Sequence, residues 1–355
     1  MRIAIGIGGA ASGRRNDFEE QVDFVREAER LGVDVVWSAE AWGQDAVVPL
    51  AYLAACTDRI RLGSGIMQIS ARVPSMTAMT ALTMATVSND RFILGLGASG
   101  PQVVEGLNGQ PFARPLERLR EHVDIVKLAF AGEKLVYDGR QYVLPRPGGE
   151  GKALRLAQPG NPNIPIYLAT LGPAALRYTG EVADGWVGTS FVPEAADVLL
   201  GPIAEGAAAA GRDLADLDLQ AGGTVAFGDR GELLDRYRMG VAFPIGAMGS
   251  RRNNFYREAF IRAGYEDDCA AVARLWLDGK RDEAVARVPD ELVIATTLLG
   301  TDAEVAERIA AYRRAGITTL RVQPDGVDPT ARLDTLARVI DLVRADERAA
   351  ADAAR

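Results

Sequence analysis

The chain has 355 residues, 48% of them hydrophobic and 25% charged, the composition of an ordinary globular protein with material for a sizeable core. A net charge of -8, with basic pairs only at Arg14-Arg15, Arg251-Arg252 and Arg313-Arg314, argues against a phosphate-tracking nucleic-acid surface. Cys56 and Cys269 are too few for a disulfide framework or a CxxC metal site, and one histidine, His122, excludes HExxH and Ser-His-Asp constellations.

The N-terminus runs directly into a strand-like IAIGIGG, and no run approaches the roughly 18 apolar residues of a membrane span. A cytoplasmic protein without membrane or nucleic-acid partners is expected. Residues 3–8 read as a first strand. Residues 17–31 follow as a helix whose apolar stripe is Phe18, Val22, Phe24, Val25 and Ala28, closed by Gly32. Residues 33–38 form a second strand, delivering Ala39, Glu40, Ala41 and Trp42 to a helix over 47–56. The third, 60–67, is broken by Gly63, Ser64 and Gly65 and presents Met67, Gln68 and Ser70; Pro74 then opens a helix to Val87. The fourth strand, 92–96, leads into GLGASG, and a helix over 116–131 carries His122, expected in a structural or surface role.

Asp138-Gly139 marks a hairpin, and the Pro/Gly-rich stretch 145–165 interrupts the alternation. Strands at 166–171, 186–189 and 217–227 alternate with helices at 173–183 and 194–210. The stretch 231–289 is helical without a strand candidate. A helix at 302–314, a strand at 318–322 and a helix at 333–344 complete the chain, with fraying expected beyond Glu347. Eight strand and helix pairs predict an α/β fold, a (β/α)8 TIM barrel in one domain over 1–355, with insertions at about 132–164 and 231–290. A doubly wound open sheet is the alternative.

In a barrel the chemistry sits at the carboxyl ends of the strands, here 6–9, 39–42, 65–70, 97–101, 169–172, 188–190 and 222–224. Small residues dominate them, as a flat ligand close to the backbone would require. GLGASG matches GxGxxG, but it follows the fourth strand, meets Pro101 instead of opening a helix, and lacks the acidic strand end of a dinucleotide fold. ATLGPAALRY offers an anion site, because Pro173 starts a helix behind Gly172. Glu40 is the one acid at its strand end and a candidate for proton exchange, with a helix-capping or merely solvated carboxylate as the other reading. Asp45 fits an N-cap; Trp42 and Gln44 either line the mouth or pack.

The stretches VDVVWSAEAWGQDA, RIRLGSGIMQISARVP, RFILGLGASGPQVVEG, YLATLGPAALRYTGEVADGW and LLGTDAEVAERIAAYRRAGITTLRV together resemble the luciferase-like monooxygenase superfamily, and within it the coenzyme F420-dependent oxidoreductases. The resemblance implies a barrel with the cofactor ring at its carboxyl mouth and a non-prolyl cis peptide at Gly65-Ile66 propping it, followed by Met67 and Gln68. It places Ala39 and Glu40 beside the ring, Gly97, Ala98 and Ser99 near it, and Ala169, Thr170, Leu171, Gly172, Gly188 and Thr189 around the phosphate tail.

The implied activity is hydride transfer between F420 and an organic substrate roofed by the helical insertion, with Glu40 or water handling a proton, in a homodimer. Glu40 departs from the histidine of F420-dependent sugar-phosphate dehydrogenases, which puts that substrate in doubt. An FMN-dependent monooxygenase, a non-catalytic F420- or flavin-binding protein and a redox-free phosphate-binding barrel enzyme are the alternatives.

Overall fold

The alternation of short apolar runs with helices becomes a closed parallel sheet in the computed structural model, which describes residues 1–8, 13–250 and 253–353. Gly9 and the Arg251-Arg252 pair lie outside the described residues. The strands are β1 (Arg2–Ile7), β2 (Val35–Ser38), β3 (Arg61–Ser64), β4 (Met67–Gln68), β5 (Phe92–Gly97), β6 (Tyr137–Asp138), β7 (Val143–Leu144), β8 (Ile166–Ala169), β9 (Gly185–Val187), β10 (Asp218–Phe227), β11 (Leu298–Gly300) and β12 (Thr319–Pro324).

The ring runs β1-β2-β3-β5-β8-β9-β10-β12 and closes where Thr319 of β12 pairs with Arg2 of β1. Among the described residues these eight strands are the barrel. The expected TIM barrel is therefore the fold, and an open doubly wound sheet is excluded because no edge remains between β12 and β1.

Four strands lie off the ring, of which β6 and β7 pair with each other as an antiparallel hairpin. β4 resumes after a break at Gly65 and Ile66 and pairs with the end of β5. β11, which the sequence reading passes over, extends β10 beyond the barrel, Leu298 opposite Val225; three residues are too short to display an alternation. Pro101 does open a helix, the single turn Pro101–Val104, contrary to expectation. The terminal helix is also longer than expected, Pro329–Ala353, its Ala-rich end favouring helix over fraying.

Helices Arg15–Leu31, Val47–Cys56, Pro74–Val87, Pro115–Phe130, Pro173–Val182 and Asp197–Ala209 follow successive barrel strands, and the main apolar core lies between them and the sheet. His122 is fully buried in this layer, its Nε2 3.0 Å from Thr77 Oγ1, where it ties Pro115–Phe130 to Pro74–Val87. Burial with no compensating charge pushes its pKa down to about 3, so it stays neutral. The run after β10 holds helices Arg230–Gly246, Phe255–Arg262, Glu266–Leu277, Arg281–Ala286 and Asp290–Thr296 around an apolar cluster of its own, including Val241, Ile245, Phe260, Val272 and Leu292.

Inside the ring a smaller cluster of Ala4, Val35, Trp37, Ile93, Tyr167 and Val187 fills the barrel. Trp37 is its bulkiest member, and the glycines around it make the room. A Cβ on Gly63 would stand 2.4 Å from the indole, and one on Gly65 or Gly95 about 3 Å from it. The small-residue break in the third strand is thus explained first by the protein's own indole. Below it, Asp218 accepts hydrogen bonds from the Tyr167, Thr318 and Thr319 hydroxyls and from Gln220, and Arg2 lies 2.8 Å away. Gln220 in turn accepts from Trp37 Nε1 at 2.8 Å.

Candidate functional site

Because the ring places β2, β3, β5, β8 and β9 side by side, Ala39, Glu40, Gly65, Ile66, Gly97, Ala169, Gly188 and Thr189 form one continuous arc at the mouth. The peptide between Gly65 and Ile66 is cis, and both residues keep accessible surface. The Ile66 side chain lies over Gly97, whose missing Cβ would stand 3.0 Å from Ile66 Cγ1 and Cδ1. Ile66 thereby forms an apolar shelf at the β3 and β5 ends. Ser99 and Ser190, just beyond β5 and β9, hold positive φ angles of 59° and 52°, a region that serine occupies sparingly.

Glu40 is 9% exposed and fully engaged. Its Oε1 accepts from Arg72 Nη1 at 2.6 Å and from Gln68 N at 3.1 Å, and its Oε2 accepts from Ala46 N at 3.3 Å. Gln68 donates from Nε2 to the carbonyls of Glu40 and Ala41, and Asn108 Nδ2 donates to Gln68 Oε1 and Ser70 Oγ. The loops after β2, β4 and β5 are thus laced together around one carboxylate. Asp45 lies one residue before the N-cap, Ala46, yet its Oδ1 serves the first turn, accepting from Val47 N and Val48 N.

Several expected contacts turn away from the mouth. Met67 is 1% exposed and packs in the outer core. Thr170 is buried with its hydroxyl 2.7 Å from Thr179 Oγ1, and its carbonyl accepts from Trp186 Nε1. Leu171 is buried as well. Gly188 leaves room for the Trp186 ring, which a Cβ would approach to 2.4 Å. Gly172 differs: a Cβ there would meet nothing within 4 Å. It precedes Pro173–Val182, a helix with no side-chain cap and no acid in its first turn, so the first amides are free for an anion.

Two arginines that the sequence reading did not single out complete the surroundings. Arg262, at the end of Phe255–Arg262 in the helical insertion, donates from Nη2 to the Leu171 carbonyl at 2.7 Å, and its buried Nε has no partner. Arg321, on β12, donates from Nη1 to the Gly188 carbonyl at 3.0 Å. Neither carries a local sequence signal; each reaches the site only through the fold. On the β1 and β12 side a cavity of about 740 Å³ is lined by Gly6, Gly8, Gln44, Gln323, Asp325 and Arg332 among others. Gln44 lines this cavity, beside helix Arg15–Leu31, whereas Trp42 is 63% exposed.

The residues present suit a flat group with an anionic tail: an apolar shelf, an open glycine before an uncapped helix, and guanidinium groups held by carbonyls. Among known proteins, the family profile described as luciferase-like monooxygenase matches residues 2–319. A Mycobacterium tuberculosis protein provisionally named a coenzyme F420-dependent oxidoreductase is 37% identical over 327 residues, covering 90% of this chain and 94% of the relative. A 5,10-methylenetetrahydromethanopterin reductase of Archaeoglobus fulgidus is 28% identical over 330 residues, 89% of this chain and 93% of its own. The solved structure of the coenzyme F420-dependent tetrahydromethanopterin reductase of Methanopyrus kandleri superposes with a TM-score of 0.79 at 21% identity, covering 97% and 98% of the two chains.

Proposed function

This chain belongs to the luciferase-like monooxygenase family, and on that premise we propose that it is an F420-dependent oxidoreductase moving a hydride between the deazaflavin and a small organic molecule. The observation that carries this reading is the Ile66 shelf beside the uncapped helix at Gly172, in a chain 37% identical to a relative named for F420. Bound there, the deazaflavin would supply the hydride-accepting carbon.

The chain's own residues position and enclose. Ile66, Gly97 and Ala39 offer a surface for the ring, with Gly65 behind it and Ala98 and Ser99 at its margin. The free amides after Gly172, with Thr189 and Arg262 nearby, suit the phosphate tail. Ala169 lines the wall between the two, and Thr170, Leu171 and Met67 support from the layer behind. Glu40 braces Gln68 and Arg72, so water is the proposed partner for the proton. We propose one barrel domain whose two insertions border this mouth, the helical one roofing the substrate.

A cytoplasmic homodimer fits the rest of the surface: both cysteines are unpaired, and Trp42, Val48, Tyr52, Val73 and Met76 are exposed on or beside helices Val47–Cys56 and Pro74–Val87, whose other faces are already buried. The direct test is equilibrium titration of the purified protein with F420 and with FMN, followed by absorption and fluorescence. Binding of F420 with weaker or no binding of FMN supports the proposal; tight FMN binding without F420 binding transfers the protein to the flavin monooxygenase reading.

A further inference from the structure

Arg321 stands opposite Ala4 of β1 and Gly222 of β10. Ala4 belongs to the interior cluster, so Arg321, in register with it, projects into the barrel. Its bond to Gly188 O spans β10, from β12 to β9. It makes no other protein hydrogen bond among the described residues, and it keeps accessible surface. Burial alone lowers its pKa, to about 10, with no carboxylate compensating. Holding a cation in such a place is costly, and a neutral donor would tether Gly188 as well.

Starting from β3, the strands β9 and β12 are each three steps away in the ring. The guanidinium held between them therefore occupies the wall opposite Ile66. A flat group resting on Ile66 and spanning the mouth presents its far edge to this charge. We infer, on the reading that this mouth holds a deazaflavin, that Arg321 faces the ring and favours its reduced form by balancing the charge that arrives with the hydride. In that step a substrate C–H bond breaks with its electron pair and a C–H bond forms on the ring. The ring is reduced and gains one negative charge, and the oxidised substrate releases a proton to water. A fixed cation at the ring edge favours whichever form of the ring carries more negative charge, here the reduced one.

The test measures the affinity of the full-length protein for oxidised F420 and for borohydride-reduced F420, under anaerobic conditions. Arg321→Gln keeps a donor for Gly188 O and removes only the charge. It is expected to weaken the reduced form at least tenfold more than the oxidised one, a fall of about 30 mV in midpoint potential for a two-electron couple. Arg321→Lys should retain most of the preference. Thermal melting checks that each variant is folded, with Arg321→Met as a second uncharged replacement. Equal weakening of both redox forms, or an unchanged ratio, overturns the role of Arg321 and leaves the cofactor reading standing. Wild-type protein that binds neither form overturns the deazaflavin reading itself.

Discussion

Replacing Glu40 by glutamine separates a bracing carboxylate from one that exchanges protons. In the structure three donors meet the carboxylate: Arg72 at 2.6 Å, Gln68 N at 3.1 Å and Ala46 N at 3.3 Å. The glutamine side chain keeps one oxygen for Arg72 and Gln68 N and turns its amide toward Ala46 N, the longest of the three contacts. The expected cost is the difference between a charge-assisted and a neutral hydrogen bond, about 1 kcal/mol, plus about 0.5 kcal/mol for the lost long one. Together this is about tenfold in whatever the brace positions. A general acid or base, by contrast, contributes about 10²–10⁴-fold.

The assay is F420 affinity by fluorescence, and kcat/KM between pH 5.5 and 9 with whichever substrate a panel of alcohols, imines and enones yields. Bracing predicts losses of about tenfold or less, with the shape of the pH profile unchanged. A fall beyond about 100-fold in kcat at unaltered F420 affinity, with one limb of the profile gone, would refute this reasoning. Glu40→Ala should do more harm to stability than Glu40→Gln, because it leaves Gln68 N and Ala46 N unmet and Arg72 with only Asp45 among the described residues, 3.9 Å away.

His122 allows a pH prediction free of other histidines. Its folded pKa, about 3, lies below the unfolded value of 6.5, so its contribution is present above pH 6.5 and is lost as pH falls toward 3. Near pH 5.5 the loss is about 1.4 kcal/mol, and chemical denaturation at pH 7.5 and 5.5 should show that difference shrinking in His122→Gln. Asp218→Asn turns a carboxylate that meets five donors into a group that must offer an N–H to some of them. A loss of about 3 kcal/mol is expected in urea titration, and one below about 1 kcal/mol would mean that the barrel floor re-forms its bonds. Gly97→Ala presses on Ile66 Cγ1 and Cδ1; it should weaken F420 about fivefold at nearly unchanged melting temperature, and a reversal of those two effects would remove Ile66 from the ring's support.

Local signals were enough for the eight strand and helix pairs and their sequence, while an open doubly wound sheet remained the alternative until β12 met β1. Pro74 and Pro173 begin helices where a missing N–H is tolerated, and the hairpin signalled by Asp138-Gly139 forms, although Asp138 pairs with Val143 and the turn falls two residues later at Arg140 and Gln141. The break at Gly63 to Gly65 was visible as glycine, though not as the space for Trp37. What periodicity does not reveal is which face of a barrel strand looks inward, because both faces are buried and neither is marked by polarity. A shift of one residue exchanges the faces. Ile66 therefore meets the mouth while Met67 packs behind it, and Ala169 lines the interior while the Thr170 hydroxyl turns to Thr179.

Long-range placement is the other part that only the tertiary structure decided. Arg321 lies 133 residues from Gly188 and Arg262 lies 91 from Leu171, distances over which no local pattern carries information. Closure of the ring brings Arg321 to Gly188, and packing of the helical insertion brings Arg262 to the strand end that the sequence had already marked with Gly172. The sequence by itself determined which strands end in small residues; the closed barrel and its helical insertion decided which charges stand around those ends, since charge placement depends on elements that meet only after folding.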